Sequence, residues 1–526
     1  MKNNILQVKH NASQSGYQVV MPLDLGIRID MDDSVRTLIE VTERMDYSEL
    51  ARTYQRQPRA SEATLKQMLQ IVLLGFMNGM YSTRKIESAC RNDIRFMFIL
   101  GMKRTPDHSR IADFIRRHLG NGVLERLLYQ FVEQLADMGE VAFDNLFVDG
   151  TKEEANANRY SFVWAKSTSK NEARVEEKLT LLLERISIEY GVMPGEAEAC
   201  REALSERKAS EGIEFVHGHG KRKTQLQRDA EALERLLGRK AKYAGYKETF
   251  RGRNSFSKTD PDATFMRMKE DHMKNGQLKP GYNLQLGIEG EYIIGVHVSS
   301  ERSDELALSG LLEHMDAGYG RRHKNIVADA GYESEENYAR LRVRGQAAYI
   351  KPQNYEKSKT RTYRNNVYLH DNMPYDTDTD TYTCPAGNTF RRLYKTTRKS
   401  KSGYESAVTV YECSGCERCQ QKALCTRAKG NRQIRVSKAF LSLRQESLER
   451  ITTELGILLR MNRSIQSEGA FGVLKQDYAF RRFLRRGEGH VFTEVLIYAM
   501  AYNINKLHNK TIRNMHGCTM HLVDSA

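Results

Sequence analysis

The chain has 526 residues, too many for one compact domain and enough, at roughly 150 residues per domain, for about three or four structural units. Its 82 Lys and Arg against 67 Asp and Glu leave a net charge of +15, which favours a polyanionic partner over a neutral one without separating DNA from RNA or anionic lipid. No apolar run approaches the ~20 residues that cross a bilayer, and the opening MKNNILQVKHNASQSG lacks the apolar stretch of a signal peptide, so the expected compartment is the cytoplasm.

Residues 1–140 are expected to form a helical domain, because apolar residues from 33 to 138 recur at helical spacing. Within it, STRKIESACRNDIRFMFILG and TPDHSRIADFIRRHL each open on a Ser or Thr cap signal and continue with arginines, a pattern that serves helix-turn-helix DNA binding or plain helical packing with basic faces. The character changes at NLFVDGTK. Leu146, Phe147 and Val148 predict a buried strand ending at Asp149-Gly150, which opens an α/β core over residues 141–165. Residues 166–279 return to a mainly helical insertion, where Leu226, Ala230, Leu233 and Leu237 fall on one face, as in a helical hairpin.

The core resumes over residues 280–352. YNLQLGIEG and EYIIGVHVSS flank the turn signal Glu289-Gly290 and predict a β-hairpin. A helix from Asp304 to Met315 follows; Asp304 is the main rival to the acids chosen below, but its placement suggests the helix N-cap. Ile326, Val327 and Ala328 then form a second apolar run ending in Asp329, Ala330 and Gly331, before a helix from Ser334 to Arg342 and a short strand in AAYIKP. Residues 353–440 are a Tyr/Thr-rich, basic, cysteine-bearing insertion. Residues 441–510 are helical again, and the segment from His508 through the tail 511–526 is expected to be poorly ordered.

Residues just past the carboxyl ends of buried strands line the ligand crevice of an α/β sheet, which places Asp149 and Asp329 where chemistry usually sits. The small residues after each leave room for a ligand or backbone to approach. In LLRMNRSIQSEGAFGVLKQ, Met461, Ile465, Glu468 and Gly472 share a helix face, so Glu468 is expected on the inward stripe. A buried carboxylate there would cost several kcal/mol unless paired, and Mg²⁺ or Mn²⁺ would pair it through oxygen ligands. Lys475, two turns on, is placed to neutralise a phosphate.

FVDGTKEEANANRYSFVW, DPDATFMRMKEDHMKNGQLKPGYNLQ, VADAGYESEENY and RSIQSEGAFGVLKQDYAFRRFLRRG together resemble the insertion-sequence DDE transposases, specifically their "eleven-eighty-two" group. The resemblance spans most of the chain, including the helical N-terminal region. It implies an α/β fold of ribonuclease H-like type, a mixed sheet flanked by helices with an all-helical N-terminal domain and two insertions. It assigns Asp149, Asp329 and Glu468 as metal-binding catalytic acids and Lys475 as the basic residue often found on the helix that carries Glu468. Such enzymes use water to cut at transposon ends, then use the freed 3′-hydroxyl to attack target DNA. The implied partner is double-stranded DNA, both terminal inverted repeats and target, held by a homodimer in the nucleoid. Ser467 stands where the group has Val, a departure that leaves the acid intact.

Arg463, Arg481, Arg482, Arg485 and Arg486 flank the catalytic helix and are candidates for phosphate contact through the guanidinium fork. The stretch RRLYKTTRKSKSGY is a further basic candidate or a mobile loop. Cys384, Cys413, Cys416, Cys419 and Cys425 offer five thiols for the four positions of a structural Zn²⁺ site. A phosphohydrolase with an aspartate nucleophile in DxDGT is disfavoured because Phe147 replaces the first aspartate. The remaining alternatives are a metal-dependent nuclease without strand transfer and an inactive zinc-containing DNA-binding protein.

Overall fold

The computed structural model describes residues 25–56, 58–101, 103–193, 195–218, 222–268, 276–477 and 482–522. Arg481 lies outside them. Among the described residues no helix is long and apolar enough to cross a membrane. The chain divides into two compact units, Met1–Gln134 with Met500–His516 and Leu135–Ala499 with Gly517–Ala526.

The first unit is helical: α1 (Leu25–Arg28), α2 (Ser34–Glu43), α3 (Ser48–Arg52), α4 (Leu65–Met77), α5 (Thr83–Asn92), α6 (Ile94–Leu100), α7 (His108–Asp113) and most of α8 (Val123–Asp137). Thr64 and Gln67 form a reciprocal capping box at the start of α4, which is buried from Met68 to Met77. A Cβ at Gly75 would lie 2.8 Å from Ile86 Cγ1, so α5 packs against α4 only because that side chain is absent. The caps of α6 and α7 are Asp93 and Asp107; the Thr of TPDHS is not used.

The second unit is built on a six-stranded mixed sheet. β1 (Asn145–Glu154) is followed by two short strands, β2 (Phe162–Trp164) and β3 (Ser255–Ser257), which pair with each other. β4 (Thr264–Arg267), β5 (Leu278–Glu289), β6 (Tyr292–Ser299), β7 (Asn325–Ala328) and β8 (Ala347–Ile350) complete the sheet. Its order is β4-β5-β1-β7-β8, with β6 also on β5. β1 runs antiparallel to β5 and parallel to β7, and β7 parallel to β8. The hairpin β5–β6 turns at Gly290 in the left-handed region, as the sequence signal implied.

Between β2 and β3 lie three helices, one more than a hairpin needs: α9 (Ala165–Tyr190), α10 (Ala197–Ser210) and α11 (Gln225–Phe250). They close on a core of their own in which Leu226 and Leu233 are buried and Ala230 and Leu237 half-covered, the face read from the sequence. After β6 come α12 (Asp304–Tyr319) and, past β7, α13 (Glu335–Val343). The cysteine insertion is a five-stranded sheet of order β13-β12-β11-β10-β9: β9 (Tyr375–Asp376), β10 (Thr381–Thr383), β11 (Thr389–Lys399), β12 (Glu405–Cys413) and β13 (Gln433–Val436). α14 (Lys438–Thr452), α15 (Glu454–Gly472) and α16 (Glu488–Ile512) follow.

The segment expected to be poorly ordered is instead tied down where it is described. α16 runs to Ile512, and beyond it Gly517 N donates to Glu140 Oε1 at 2.9 Å. Asn462 of α15 bonds His521 in both directions, Nδ2 to the carbonyl at 2.9 Å and Oδ1 from the amide at 2.7 Å. Gln466 Nε2 reaches Thr519 O at 3.0 Å.

Candidate active site

β1 does not stop at Asp149, as its apolar run suggested, but continues to Glu154 on its β5 side. On the other side its parallel neighbour ends sooner, the last paired residues being Val148 and Ala328. Asp149 and Asp329 are therefore each the next residue after one shared register position. Past that point, among the described residues, no strand pairs with β1 on its β7 side until Glu154 bridges Arg482, which opens a gap at the strand ends.

Side chains alternate along β1. Leu146 faces the same side as Met315 of α12, both meeting at Gly287. Asp149, Thr151 and Glu153 face α15 instead: Arg463 Nη1 lies 3.1 Å from Asp149 Oδ2, and Lys475 Nζ lies 2.9 Å from Thr151 Oγ1 and 3.3 Å from Glu153 Oε1. Two cations from one helix thus lie along one face of β1. The second reaches it through a π-helical turn, Val473–Asp477, which shifts the phase of the helix end.

Glu468 sits between these two cations in sequence but not on their face. It is exposed, and its Oε1 accepts from Ser464 Oγ at 2.8 Å. The inward stripe of α15 is Leu459, Asn462, Gln466, Ser467 and Ala470, whereas Ile465 is 40% exposed. At about 100° per residue, Glu468 is some 140° round the helix from Arg463. The stripe read from the sequence was displaced because its true members are largely polar.

Around the aspartates lies a dense polar network. Gln285, fully buried, accepts from the Tyr332 hydroxyl. Its Nε2 donates to Asn283 Oδ1 at 2.9 Å and Asp304 Oδ1 at 3.2 Å. Asn283 Nδ2 donates to the same Asp304 oxygen at 2.7 Å. Asp304 is thus not the N-cap of α12, which is Ser303, but the helix's first residue, with its carboxylate fixed by two buried amides. A Cβ at Gly331 would lie 3.0 Å from Asp329 Oδ1 and 3.3 Å from Asp304 Oδ2. Burial, and then the charges of Asp304, Asp149 and Asp329, hold the Tyr332 phenol well above its ordinary pKa, with Arg463 opposing. Sequence reasoning named Asp304 but missed its place here, since both amides that hold it come from a different element.

The room beside Gly150 belongs to Gln285: a Cβ there would lie 2.4 Å from Gln285 Nε2. Gly150→Ala is expected to destabilise the protein by about 1–3 kcal/mol, read from the midpoint of chemical denaturation. An unchanged midpoint would show that Gln285 swings aside without cost.

The flanking arginines divide. Arg482 donates to the carbonyls of Ala155 and Ala157 at 3.1 and 2.9 Å, and Arg486 to that of Asn156 at 2.7 Å, while both remain exposed. Arg485 turns inward on buried Glu494, 3.9 Å away.

All five clustered cysteines line one cavity, together with Arg432. Cys384 Sγ accepts the Asn388 amide at 3.2 Å, Cys416 Sγ the Arg432 amide at 3.4 Å, and Cys425 Sγ the Arg432 guanidinium at 2.9 Å. Burial, then Cys416, then Cys384, raise the Cys413 thiol above its ordinary pKa. Among the described residues no three Cys, His, Asp or Glu side chains stand in a metal-holding arrangement, here or at the aspartates.

Two family models match the chain. Residues 383–508 match the Transposase DDE domain, a span that holds Glu468 and Lys475 but neither aspartate. Residues 23–117, in the helical unit, match the Transposase domain (DUF772). Together they indicate a transposase, an enzyme acting on DNA. They support an insertion-sequence transposase family. No curated protein and no solved structure matches the chain.

Proposed function

We propose that the chain is a DDE transposase of the "eleven-eighty-two" group, cutting transposon-end DNA and joining it to target DNA on a ribonuclease H-like core. The observation that carries this is the placement of Asp149 and Asp329 one residue past a shared register position on adjacent parallel strands, with Arg463 and Lys475 laid over β1. The order of strand, hairpin, helix, parallel strand and later helix supports the fold.

The donors fit Mg²⁺ or Mn²⁺. Asp149 already engages a cation, the Arg463 guanidinium, and Asp304 and Asp329 converge on the space beside Gly331. Such oxygen-only sets suit hard divalent ions. Bound there, the metal would activate the attacking oxygen and stabilise the leaving one during in-line displacement at phosphorus. Arg463 would exchange Asp149 for phosphate, an oxyanion that a guanidinium can grip through two of its N–H groups. Lys475, held by Thr151 and Glu153, positions a neighbouring phosphate. Glu468 is assigned as the third acid by the resemblance, from a position on the exposed side of α15. Arg481, Arg482 and Arg486 contribute phosphate contacts, and two copies pair the transposon ends.

The test is incubation of the protein and Mg²⁺ with the DNA flanking its own gene. Cuts at defined ends followed by joined products are expected. Cutting without joining would favour a plain nuclease, and no cutting would sink the reading.

We read the cysteine cavity as a structural zinc site. The N–H donors to Cys384 and Cys416 suit thiolate sulfur. The purified protein is expected to hold about one zinc per chain by elemental analysis, and Cys416→Ser to lose it. Zinc-free protein with an unchanged melting temperature would contradict this.

A further inference from the structure

One basic segment takes no part in the site at the strand ends. RRLYKTTRKSKSGY, read from sequence as a basic candidate or a mobile loop, is the long strand β11 and its turn into β12. β11 pairs with β12 along its length, but with β10 only through Thr389 and Phe390. From Arg391 to Lys399 its other edge has no strand neighbour among the described residues, and every one of these side chains is exposed. At about 3.3 Å per residue this free edge runs roughly 30 Å.

The edge is basic on both faces. Cross-strand pairing puts Lys395 and Lys399 on one side and Arg398 on the other. Counting Lys401 in the turn, the ribbon from 389 to 413 carries 6 Lys and Arg against the two acids Glu405 and Glu412. Arg391, Lys395, Arg398 and Lys401 have no carboxylate partner among the described residues. Arg392 and Lys399 have only long contacts, 3.7 Å to Asp380 and 3.6 Å to Glu405. One or two charges suffice to keep an edge strand from pairing with another chain. So many unpaired cations on one strand call for a polyanion.

The ribbon is also fixed in place. Ser400 and Ser402 donate to Glu336 Oε2 at 3.3 and 2.5 Å, and Tyr404 to Glu335 Oε1 at 3.3 Å. Glu335 opens α13, directly after the turn that holds Asp329 and Tyr332. The tip therefore anchors at the end of the sheet where the acids lie. A rigid two-stranded ribbon about as long as one ~34 Å turn of duplex matches a DNA groove or backbone.

We infer that β11 and its turn form a DNA-binding arm, which contacts duplex phosphates and leads the duplex to the Asp149–Asp329 site. This rests on the transposase reading above. The test is fluorescence anisotropy of the full chain with a mixed-sequence duplex DNA of roughly four helical turns, across a salt series. A duplex RNA of the same sequence serves as the second probe. Each phosphate contact removed lowers the slope of log affinity against log salt by about 0.9. The variant Lys395→Ala/Arg398→Ala/Lys399→Ala should therefore lose about two to three units of slope and bind DNA at least tenfold more weakly at moderate salt. The single variant Arg398→Glu should shift both in the same direction. A control that removes three exposed cations from α9, Lys166→Ala/Lys170→Ala/Arg174→Ala, should leave both nearly unchanged.

Wild-type affinity and slope in both arm variants would overturn the arm. So would an equal loss in the α9 control, or a loss confined to RNA. Failure of the wild-type chain to bind duplex DNA at all would instead sink the transposase reading.

Discussion

Asp149→Asn and Asp329→Asn are each expected to lower Mg²⁺-dependent strand cleavage by about 10³-fold or more, some 4 kcal/mol of barrier. Both substitutions should leave the fold and DNA binding in place. Asp149 Oδ1 accepts its own neighbour's amide, Gly150 N, at 2.8 Å, and Asp329 Oδ1 accepts Gly331 N at 2.8 Å. An asparagine oxygen keeps both bonds; at Asp329 only the charge goes, whereas at Asp149 the amide Nδ2 also replaces the oxygen that accepts from Arg463 Nη1. Loss of cleavage with retained binding in Asp329→Asn therefore isolates the carboxylate's role toward metal. Glu468→Gln should behave alike, although its side chain now faces solvent. Persistent cleavage in any of the three would remove that residue from the assignment, and for Glu468 it would turn attention to Asp304 as the third acid.

Glu494→Ala should cost about 3–5 kcal/mol of stability, the range for breaking a buried ion pair from one side. Glu494 is fully buried and accepts the amides of Leu484 and Arg485, each at 3.0 Å, besides facing the Arg485 guanidinium. Burial pushes its carboxyl up and that guanidinium down, and each charge opposes the shift of the other. Truncation would leave two amides and a largely buried cation unpaired. A loss of under about 1 kcal/mol in chemical denaturation would show that water or a shifted loop replaces the carboxylate. Because Arg482 and Arg486 belong to the same segment and brace the backbone of residues 155–157, the variant should also weaken DNA binding.

What could be read from the sequence follows from what is local. The apolar runs before Asp149 and Asp329 are strands in themselves and visible without any partner, but the true end of β1 is not, because its pairing with β5 carries it on to Glu154. The hairpin at Gly290 and the leucine face of α11 are equally local. The phase of α15 is not. Its inward stripe is built from Asn462, Gln466 and Ser467, and the partners of the first two are the backbone of Thr519 and His521 and the amide of Glu291. Nothing near them in sequence announces these partners, so the apolar Met461 and Ile465 seemed to mark the buried side. The same holds for Arg463, whose ion pair with Asp149 joins residues 314 apart. β11 looked like a loop because its residues are almost all polar; a strand covered only by β12 has no need of apolar alternation.

The central claim is that Asp149 and Asp329 hold a divalent metal between neighbouring strand ends. Anomalous scattering from crystals of the protein grown with DNA and Mn²⁺ tests it most directly. A manganese peak against these two carboxylates is expected, with Arg463 displaced from Asp149. A fully loaded crystal whose manganese touches neither aspartate would contradict it.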